Sequence, residues 1–300
     1  MKKIVIIGAS IAGHTAAVGL REKIKDCQIS LITEGSYPLY DKSKLLQYLC
    51  GLLKEKDLLM VGPDFYQQQS IEFLKDRKVV QVSPSRKVVH CRHKDKRESY
   101  EYDFLAVCSG RRSVLPEITG INKEGIYTLD SLNDYKQLRQ HLISDPVCFI
   151  GSVRRALPAA TMLAGRQREV KVISSEGMQP AEPIDGMEIV SSEVIELIGE
   201  SGVQAIRLKE GKIIGTSLPV FVPALTAANS DFLKDSGITM DGELLCVDES
   251  MCTSIKTIYA SGAVCLRQGA AAAEKSWDEA IQESRMLVDG LAKAIGGADV

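Results

Sequence analysis

The sequence predicts an α/β fold made of two strand–glycine turn–helix–strand units, on three observations. A β-branched apolar run, Ile4–Ile7, ends at Gly8 ahead of a helix-forming stretch and a second apolar run. The same order starts again 143 residues on, where the apolar run Val147–Ile150 ends at Gly151. The length, 300 residues, is that of about two ordinary domains. In order, Ile4–Ile7 reads as a buried strand, Ala12–Lys23 as a helix with Ala16, Ala17 and Leu20 on one face, and Gln28–Thr33 as a strand closing at Glu34. Lys42–Leu53 reads as helical. Val79–Val82, Lys87–Cys91 and Ser99–Glu101 read as short, antiparallel strands, and Phe104–Cys108 as another buried strand. In the second unit, Val147–Ile150 and Val170–Ser174 flank a helical Leu157–Leu163, and strands and tight turns follow from Gly186 to Val222. Ile258–Ala260 is a last buried strand, and Ala270–Ile295 a long closing helix.

Composition narrows the classes of function. Hydrophobic residues make up 45% and charged residues 25%, a globular balance. Lys+Arg 37 against Asp+Glu 39 leaves a net charge of −2, with no single-sign field to attract nucleic acid or an anionic membrane. No apolar stretch reaches the ~20 residues that span a bilayer. The opening apolar run is too short for a secretory h-region, so a cytoplasmic location is expected. The eight cysteines form no Cys-x-x-Cys pair and the four histidines no ligand pattern. The cysteines therefore read as buried, reduced small hydrophobes rather than metal or disulfide ligands.

Gly8-Ala9-Ser10-Ile11-Ala12-Gly13 sits between a strand and a helix. A dinucleotide loop needs a tight turn at its first glycine and a small middle residue that lets backbone N–H groups reach a pyrophosphate. It needs a third glycine where helix meets strand. Ser10 fills the middle place, and the helix N-terminus adds partial positive charge. Glu34, 21 residues after Gly13, stands where a carboxylate accepts from ribose hydroxyls.

With three later segments, these residues resemble the FAD-dependent pyridine nucleotide–disulfide oxidoreductase superfamily. The ferredoxin/rubredoxin reductase and nitrite reductase flavodomain branch is the nearest in pattern. The segments are Pro38–Lys42 beside the flavin, Tyr102–Gly110, and Thr257–Ala263, with Trp277, Ala280 and Arg285 in a helix similar to the last of the family's FAD domain. The resemblance implies two Rossmann-like dinucleotide-binding domains, the second inserted in the first. An FAD domain would span 1–112 and 237–300, and a shortened NAD(P)-binding-like domain 113–236. The family's C-terminal interface domain is expected to be absent. Carried over residue by residue, Gly8, Ser10, Ile11, Ala12 and Gly13 would face the FAD pyrophosphate, and Glu34 the adenosine ribose. Lys42 would lie near phosphates and flavin, and the Val79 backbone at the adenine. Ser109 and Gly110 would form the second FAD turn, and Gly262 and Ala263 the turn at the ribityl chain.

The sequence departs from that pattern at the ribityl turn, in the second glycine loop and in the stretch after the strand that follows it. Ala263 replaces an Asp that bonds the ribityl hydroxyls, a loss of about 1–3 kcal/mol. In the second loop, Gly151-Ser152-Val153-Arg154-Arg155-Ala156-Leu157-Pro158, Val153 puts a β-branched side chain where backbone should meet a pyrophosphate. Pro158, in place of a Glu, is tolerated only in a helix's first turn. Ser174-Ser175-Glu176 offers no clean ribose acid, and the helix after it reads as deleted, since Pro180, Pro183 and Gly186 crowd the stretch. Gly151 with Arg154 and Arg155 would hold NAD(P)H phosphate through guanidinium charge; alternatively the two arginines are solvated or pair with a partner's acids. No thiol couple faces the flavin, and Cys50 and Trp277 read as packed residues.

The expectation is an FAD-dependent oxidoreductase that moves electrons between NAD(P)H and a redox protein, whether rubredoxin, ferredoxin or another iron–sulfur partner. The alternatives are a flavin electron-transfer subunit without a nicotinamide site, and a scaffold without cofactor.

Overall fold

The computed structural model describes residues 1–142, 146–166, 168–178, 182–270 and 275–297. The chain divides into two compact units. The first takes Met1–Tyr40, Leu59–Arg112 and Ala227–Val300; the second takes Asp41–Leu58 and Ser113–Thr226.

The first unit is built on a five-stranded parallel sheet, in the order Ile258–Ala260, Phe104–Val107, Lys2–Ile7, Cys27–Ile32, Ile71–Leu74. The register runs Ile4 to Ile29 on one side of the central strand and Ile4 to Phe104 on the other. Ile4–Ile7 and Phe104–Val107 are buried at every position, as strands inside a parallel sheet are. Helix Ile11–Lys23 follows the first strand, buries Ala12, Gly13, Ala16, Ala17 and Leu20, and packs on helix Trp277–Gly297. The latter brings in Ala280, Ser284, Leu287, Val288, Leu291 and Ile295 at helical spacing. The helices approach closely at Gly19, where a Cβ would lie 3.1 Å from a Val288 methyl.

A three-stranded antiparallel sheet, Lys78–Ser83, Val88–His93 and Lys96–Glu101, belongs to the same unit. On it the Glu98 carboxylate accepts from Tyr100 Oη at 2.5 Å, Arg77 Nε at 2.8 Å and His93 Nδ1 at 3.1 Å. These bonds, that of Tyr100 foremost, hold its pKa down to about 2. A depressed carboxylate stabilises the fold above its ordinary range and loses that contribution as pH falls from about 4.5 through about 2. Glu98→Gln is therefore expected to flatten the acid side of a Tm–pH curve within that window. An acid side identical to wild type would show that the network contributes nothing.

The second unit has a four-stranded parallel sheet, ordered Met187–Ser191, Val170–Ser174, Val147–Gly151, Leu218–Val222. Its antiparallel sheet is Val194–Ile198, Ala205–Leu208 and Ile213–Gly215. Helix Val153–Ala164 follows the strand that ends at Gly151.

Several elements differ from the sequence reading. Lys42–Leu53 is a 3₁₀ turn, Lys42–Lys44, and a five-residue helix, Leu45–Leu49, stopped by Gly51 at φ +73°. The closing helix begins at Trp277, not Ala270; 271–274 lie outside the described residues. Helix Leu132–His141 was not anticipated. Pro158 is the sixth residue of its helix, beyond the first turn where it was expected. It lies on the exposed face of that helix, while Val153, Ala156, Ala159, Ala160 and Leu163 bury the opposite face. Among the described residues, no helix is long and apolar enough to cross a membrane and no His/Cys/Asp/Glu group is arranged to hold a metal.

Candidate functional site

The strand order of the first unit has the reversal at which doubly wound sheets take their ligands. From the central Lys2–Ile7 the sheet grows to one side through Cys27–Ile32 and Ile71–Leu74, then to the other through Phe104–Val107 and Ile258–Ala260. Ligands of such sheets bind beyond the carboxyl ends of the strands, at the reversal next to the central strand. Gly8, Glu34, Ser109-Gly110 and Ser261–Ala263 each follow the carboxyl end of one of these strands.

Backbone approach explains the glycines. Gly8 has φ +102° and donates its N–H to the Ile32 carbonyl at 2.7 Å; a Cβ there would stand 2.3 Å from the Cys108 carbonyl oxygen. At Gly13 a Cβ would stand 1.7 Å from the Gly8 carbonyl oxygen, so the helix start presses on the turn itself. Gly262, at φ +78°, lies against Ala12: a Cβ would come within 3.1 Å of the Ala12 methyl. Segments 250 residues apart thus meet. Ser109 Oγ donates to the Asn229 carbonyl at 2.6 Å, and the Asn229 N–H donates to the Gly110 carbonyl at 2.8 Å. Gly110 opens on free space, with nothing within 4 Å of where its Cβ would be.

The electrostatics of this turn favour an anion. Ser10 is the N-cap residue of helix Ile11–Lys23, its hydroxyl does not turn back to cap, and the first turn holds no acid. A helix supplies no acceptor to its own first amides, so those of Ile11, Ala12 and Gly13 keep their partial positive charge. Glu34 is 61% exposed and pairs with Lys78 at 3.1 Å, a surface ion pair of small energetic worth. Val79 sits opposite Cys91, at the register shift between Val79 and Gln81. Lys42 lies in the second unit, its Nζ donating to the Asp130 carbonyl at 3.3 Å. Surrounding protein lowers its pKa, opposed by the carboxylates of Asp130 and Asp134.

At Gly262 the structure adds two residues that the sequence reading missed. Glu283 Oε2 accepts the Gly262 N–H at 2.9 Å. Lys275 Nζ donates to the Gly262 carbonyl at 3.1 Å, to the Cys265 carbonyl at 2.8 Å and to Glu283 at 2.6 Å. The two side chains are 14% and 13% exposed. This nearly buried ion pair holds both backbone groups of the glycine next to Ala263. Lys275 and Glu283 follow no local motif, and only the fold brings them onto the turn.

The second loop is built alike. Gly151 has φ +126° and no room for a Cβ, which would fall 2.6 Å from the Val222 carbonyl oxygen. The Ser152 N–H donates to that carbonyl at 2.8 Å. Val153 is fully buried, so its isopropyl group turns into the core instead of standing over the loop, contrary to the sequence reading. Arg155 Nη1 donates to the Pro223 carbonyl at 2.6 Å, and Arg154 is exposed.

All eight cysteines are free and seven are buried. Burial pushes the thiols of Cys108 and Cys148 up to about 11 and that of Cys91 up to about 12, and raises Cys50. These thiols stay protonated and unreactive at neutral pH.

Fold and site together define a dinucleotide-binding protein of the doubly wound class. The chain belongs to the pyridine nucleotide-disulphide oxidoreductase family, whose model matches residues 2–284. FAD and NAD(P)H are the cofactors of these oxidoreductases. An NADH oxidase of Methanocaldococcus jannaschii is 24% identical over 281 residues; the match covers 87% of this chain and 62% of that relative's length. A rubredoxin-NAD(+) reductase of Ectopseudomonas oleovorans is 27% identical over 282 residues, covering 86% and 71%. Among solved structures, the covalent putidaredoxin reductase–putidaredoxin complex superposes with a TM-score of 0.82 at 21% identity, over 97% of this chain and 75% of that one, a likeness of fold.

Proposed function

We propose that the chain is an FAD-dependent NAD(P)H oxidoreductase that passes electrons to a small redox protein of the rubredoxin, ferredoxin or other iron–sulfur kind. The observation that carries this reading is the convergence of Gly8–Gly13, Ser109-Gly110 and Gly262 at the carboxyl ends of one parallel sheet, around helix amides that no acid covers. That donor set fits a dinucleotide diphosphate. When bound, FAD accepts a hydride and gives up electrons singly, which couples a nicotinamide to a one-electron acceptor. The amides of Ile11, Ala12 and Gly13 would hold the pyrophosphate, with Gly8 and Ser10 leaving the backbone room to approach. Glu34 would accept from the adenosine ribose, and the Val79 backbone would meet the adenine. Ser109, Gly110, Gly262 and Ala263 would border the ribityl and flavin end, where Lys42 is assigned to the phosphates and flavin. In the same reading 1–112 with 237–300 form the FAD domain, and 113–236 an inserted nucleotide domain that takes NAD(P)H at Gly151, Arg154 and Arg155. The partners named for the relatives support a redox-protein acceptor here.

Anaerobic mixing of FAD-loaded protein with NADH and with NADPH tests this. Bleaching of the flavin spectrum within seconds is expected with at least one of them. Bound flavin that neither nucleotide bleaches would refute the donor assignment and favour an electron-transfer subunit charged by another protein.

A further inference from the structure

We infer that His14 is a positioning residue of the cofactor seat that works while its imidazole is neutral: it accepts a hydrogen bond from the buried Tyr66 hydroxyl and, through Tyr66, ties the helix of the first glycine loop to the backbone at Leu39. The inference deepens the reading of the first unit as an FAD site and rests on it.

His14 follows Gly13 directly, and its N–H closes the first turn of helix Ile11–Lys23 on the Ser10 carbonyl at 2.9 Å. Its Nδ1 lies 3.0 Å from Tyr66 Oη. The Phe65 ring stands 5.5 Å from the imidazole and the Phe73 ring 4.8 Å from that of Tyr66, so aromatic rings flank the contact on two sides. Tyr66 is fully buried. The Leu39 amide faces the same oxygen and acts on it as a donor does, favouring the ionised form. Leu39 is the second residue of the Pro38–Lys42 segment, and its carbonyl accepts the Met60 N–H at 3.0 Å.

The direction of the bond follows from the protons. Burial pushes the Tyr66 hydroxyl well above its ordinary range, so it keeps its proton at every working pH. A buried hydroxyl proton needs an acceptor, and the Leu39 amide is a donor. His14 Nδ1 is the acceptor in reach, so the neutral imidazole carries its proton on Nε2. A further proton, on Nδ1, would turn that acceptor into a donor and strand the Tyr66 proton. Burial lowers the His14 pKa from its ordinary 6.5. Tyr66 is the titratable group that faces it; among the described residues, no charged side chain of helices Ile11–Lys23, Phe65–Gln68 and Trp277–Gly297 or of strand Ile71–Leu74 bears on it. A lowered imidazole pKa means that the contact is whole above 6.5 and is lost as pH falls from 6.5 through the lowered value.

Fluorescence titration of the flavin-free full chain with FAD, at about pH 8 and about pH 5, tests this on wild type, His14→Asn and His14→Leu. Asparagine puts a carbonyl oxygen near the place of Nδ1 and does not titrate; leucine offers no acceptor. At the lower pH an imidazole freed of the contact is almost wholly protonated and the neutral remainder alone rebuilds it, so wild type is expected to lose about tenfold in affinity. His14→Asn, which shares every other titrating group, is expected to bind within about twofold of wild type at about pH 8 and to keep that affinity in acid. His14→Leu is expected to bind about tenfold more weakly at both, and NMR of the wild-type imidazole to show Nδ1 unprotonated at the higher pH. A flat wild-type profile, an asparagine variant with the same acid loss, a leucine variant that binds like wild type or a proton on Nδ1 at the higher pH would each overturn the inference and leave the FAD site standing. Should His14→Leu fail to fold, the wild-type and asparagine profiles decide. A wild type that takes up no FAD at about pH 8 would overturn the FAD reading, and the inference with it.

Discussion

Gly13→Ala is expected to yield a protein that holds no flavin and melts about 6–12 °C lower. The added Cβ would stand 1.7 Å from the Gly8 carbonyl oxygen, about half a normal contact. That oxygen is backbone, in a turn tied to Ile32 and packed on Cys108, so no flexible chain end can yield. The helix must lift off the strand, which parts the first-turn amides from the crevice and opens the Ala12–Gly262 contact. A strained backbone clash of this kind costs about 3 kcal/mol or more, and a domain of 150–250 residues loses about 2–4 °C per kcal/mol. Two controls separate crowding from general fragility. Ser10→Ala removes a hydroxyl that caps nothing and is expected to change Tm by no more than about 2 °C. Gly110→Ala meets nothing within 4 Å and bears only the cost of φ +70°, about 1–2 kcal/mol. Differential scanning fluorimetry and the flavin-to-protein absorbance ratio after gel filtration read the outcome. A Gly13→Ala protein that retained flavin at the wild-type ratio would disprove the close-packed turn as the cofactor's seat.

What the sequence disclosed depends on how local each determinant is. The strands of the first sheet were legible because a strand inside a parallel sheet must be apolar at every position, and Ile4–Ile7 and Phe104–Val107 are. The glycines at 8, 13, 151 and 262 were legible because contact with a carbonyl or methyl forbids a side chain, a constraint that leaves a mark at a single position. Helix boundaries were read less well, though local signals were present. Ser131 with Asp134 forms a capping box that starts helix Leu132–His141, and Ser276 with Glu279 forms the equivalent bonds at Trp277. Rotamer direction was not legible: the β-branched Val153 was expected over the loop, and its burial is decided by the helix's packing. Nor were pairings across distance. Glu176 on Val153 joins residues 23 apart, and Glu283 on Gly262 residues 21 apart, through folded geometry alone.

Breaking the Lys275–Glu283 pair is expected to destabilise the protein by about 3–5 kcal/mol when one partner is removed, and by much less when both are. Lys275→Met leaves the Glu283 carboxylate at 13% exposure with the Gly262 N–H as its remaining partner, and takes the ammonium off the Cys265 carbonyl and off the Gly262 carbonyl, which keeps the Cys265 N–H at 3.2 Å. Glu283→Gln keeps a group able to accept from Gly262 but leaves the Lys275 ammonium without its counter-charge. Lys275→Met with Glu283→Gln together removes both charges, and a coupling of at least about 2 kcal/mol is expected from the double-mutant cycle in urea. The effect on flavin should follow a different order, because the pair acts by holding Gly262 against Ala12 in the turn that carries Ala263. Lys275→Met is expected to weaken FAD about tenfold, since the turn loses the charged donor on its carbonyl and keeps only the bonds from Cys265. The double variant should recover stability without recovering that affinity, because the ammonium is still missing from the Gly262 carbonyl. If affinity instead tracked stability across all three variants, the pair would support the fold and have no separate part in positioning the cofactor. Should every variant bind FAD as wild type does, the turn at Gly262 would not border the cofactor.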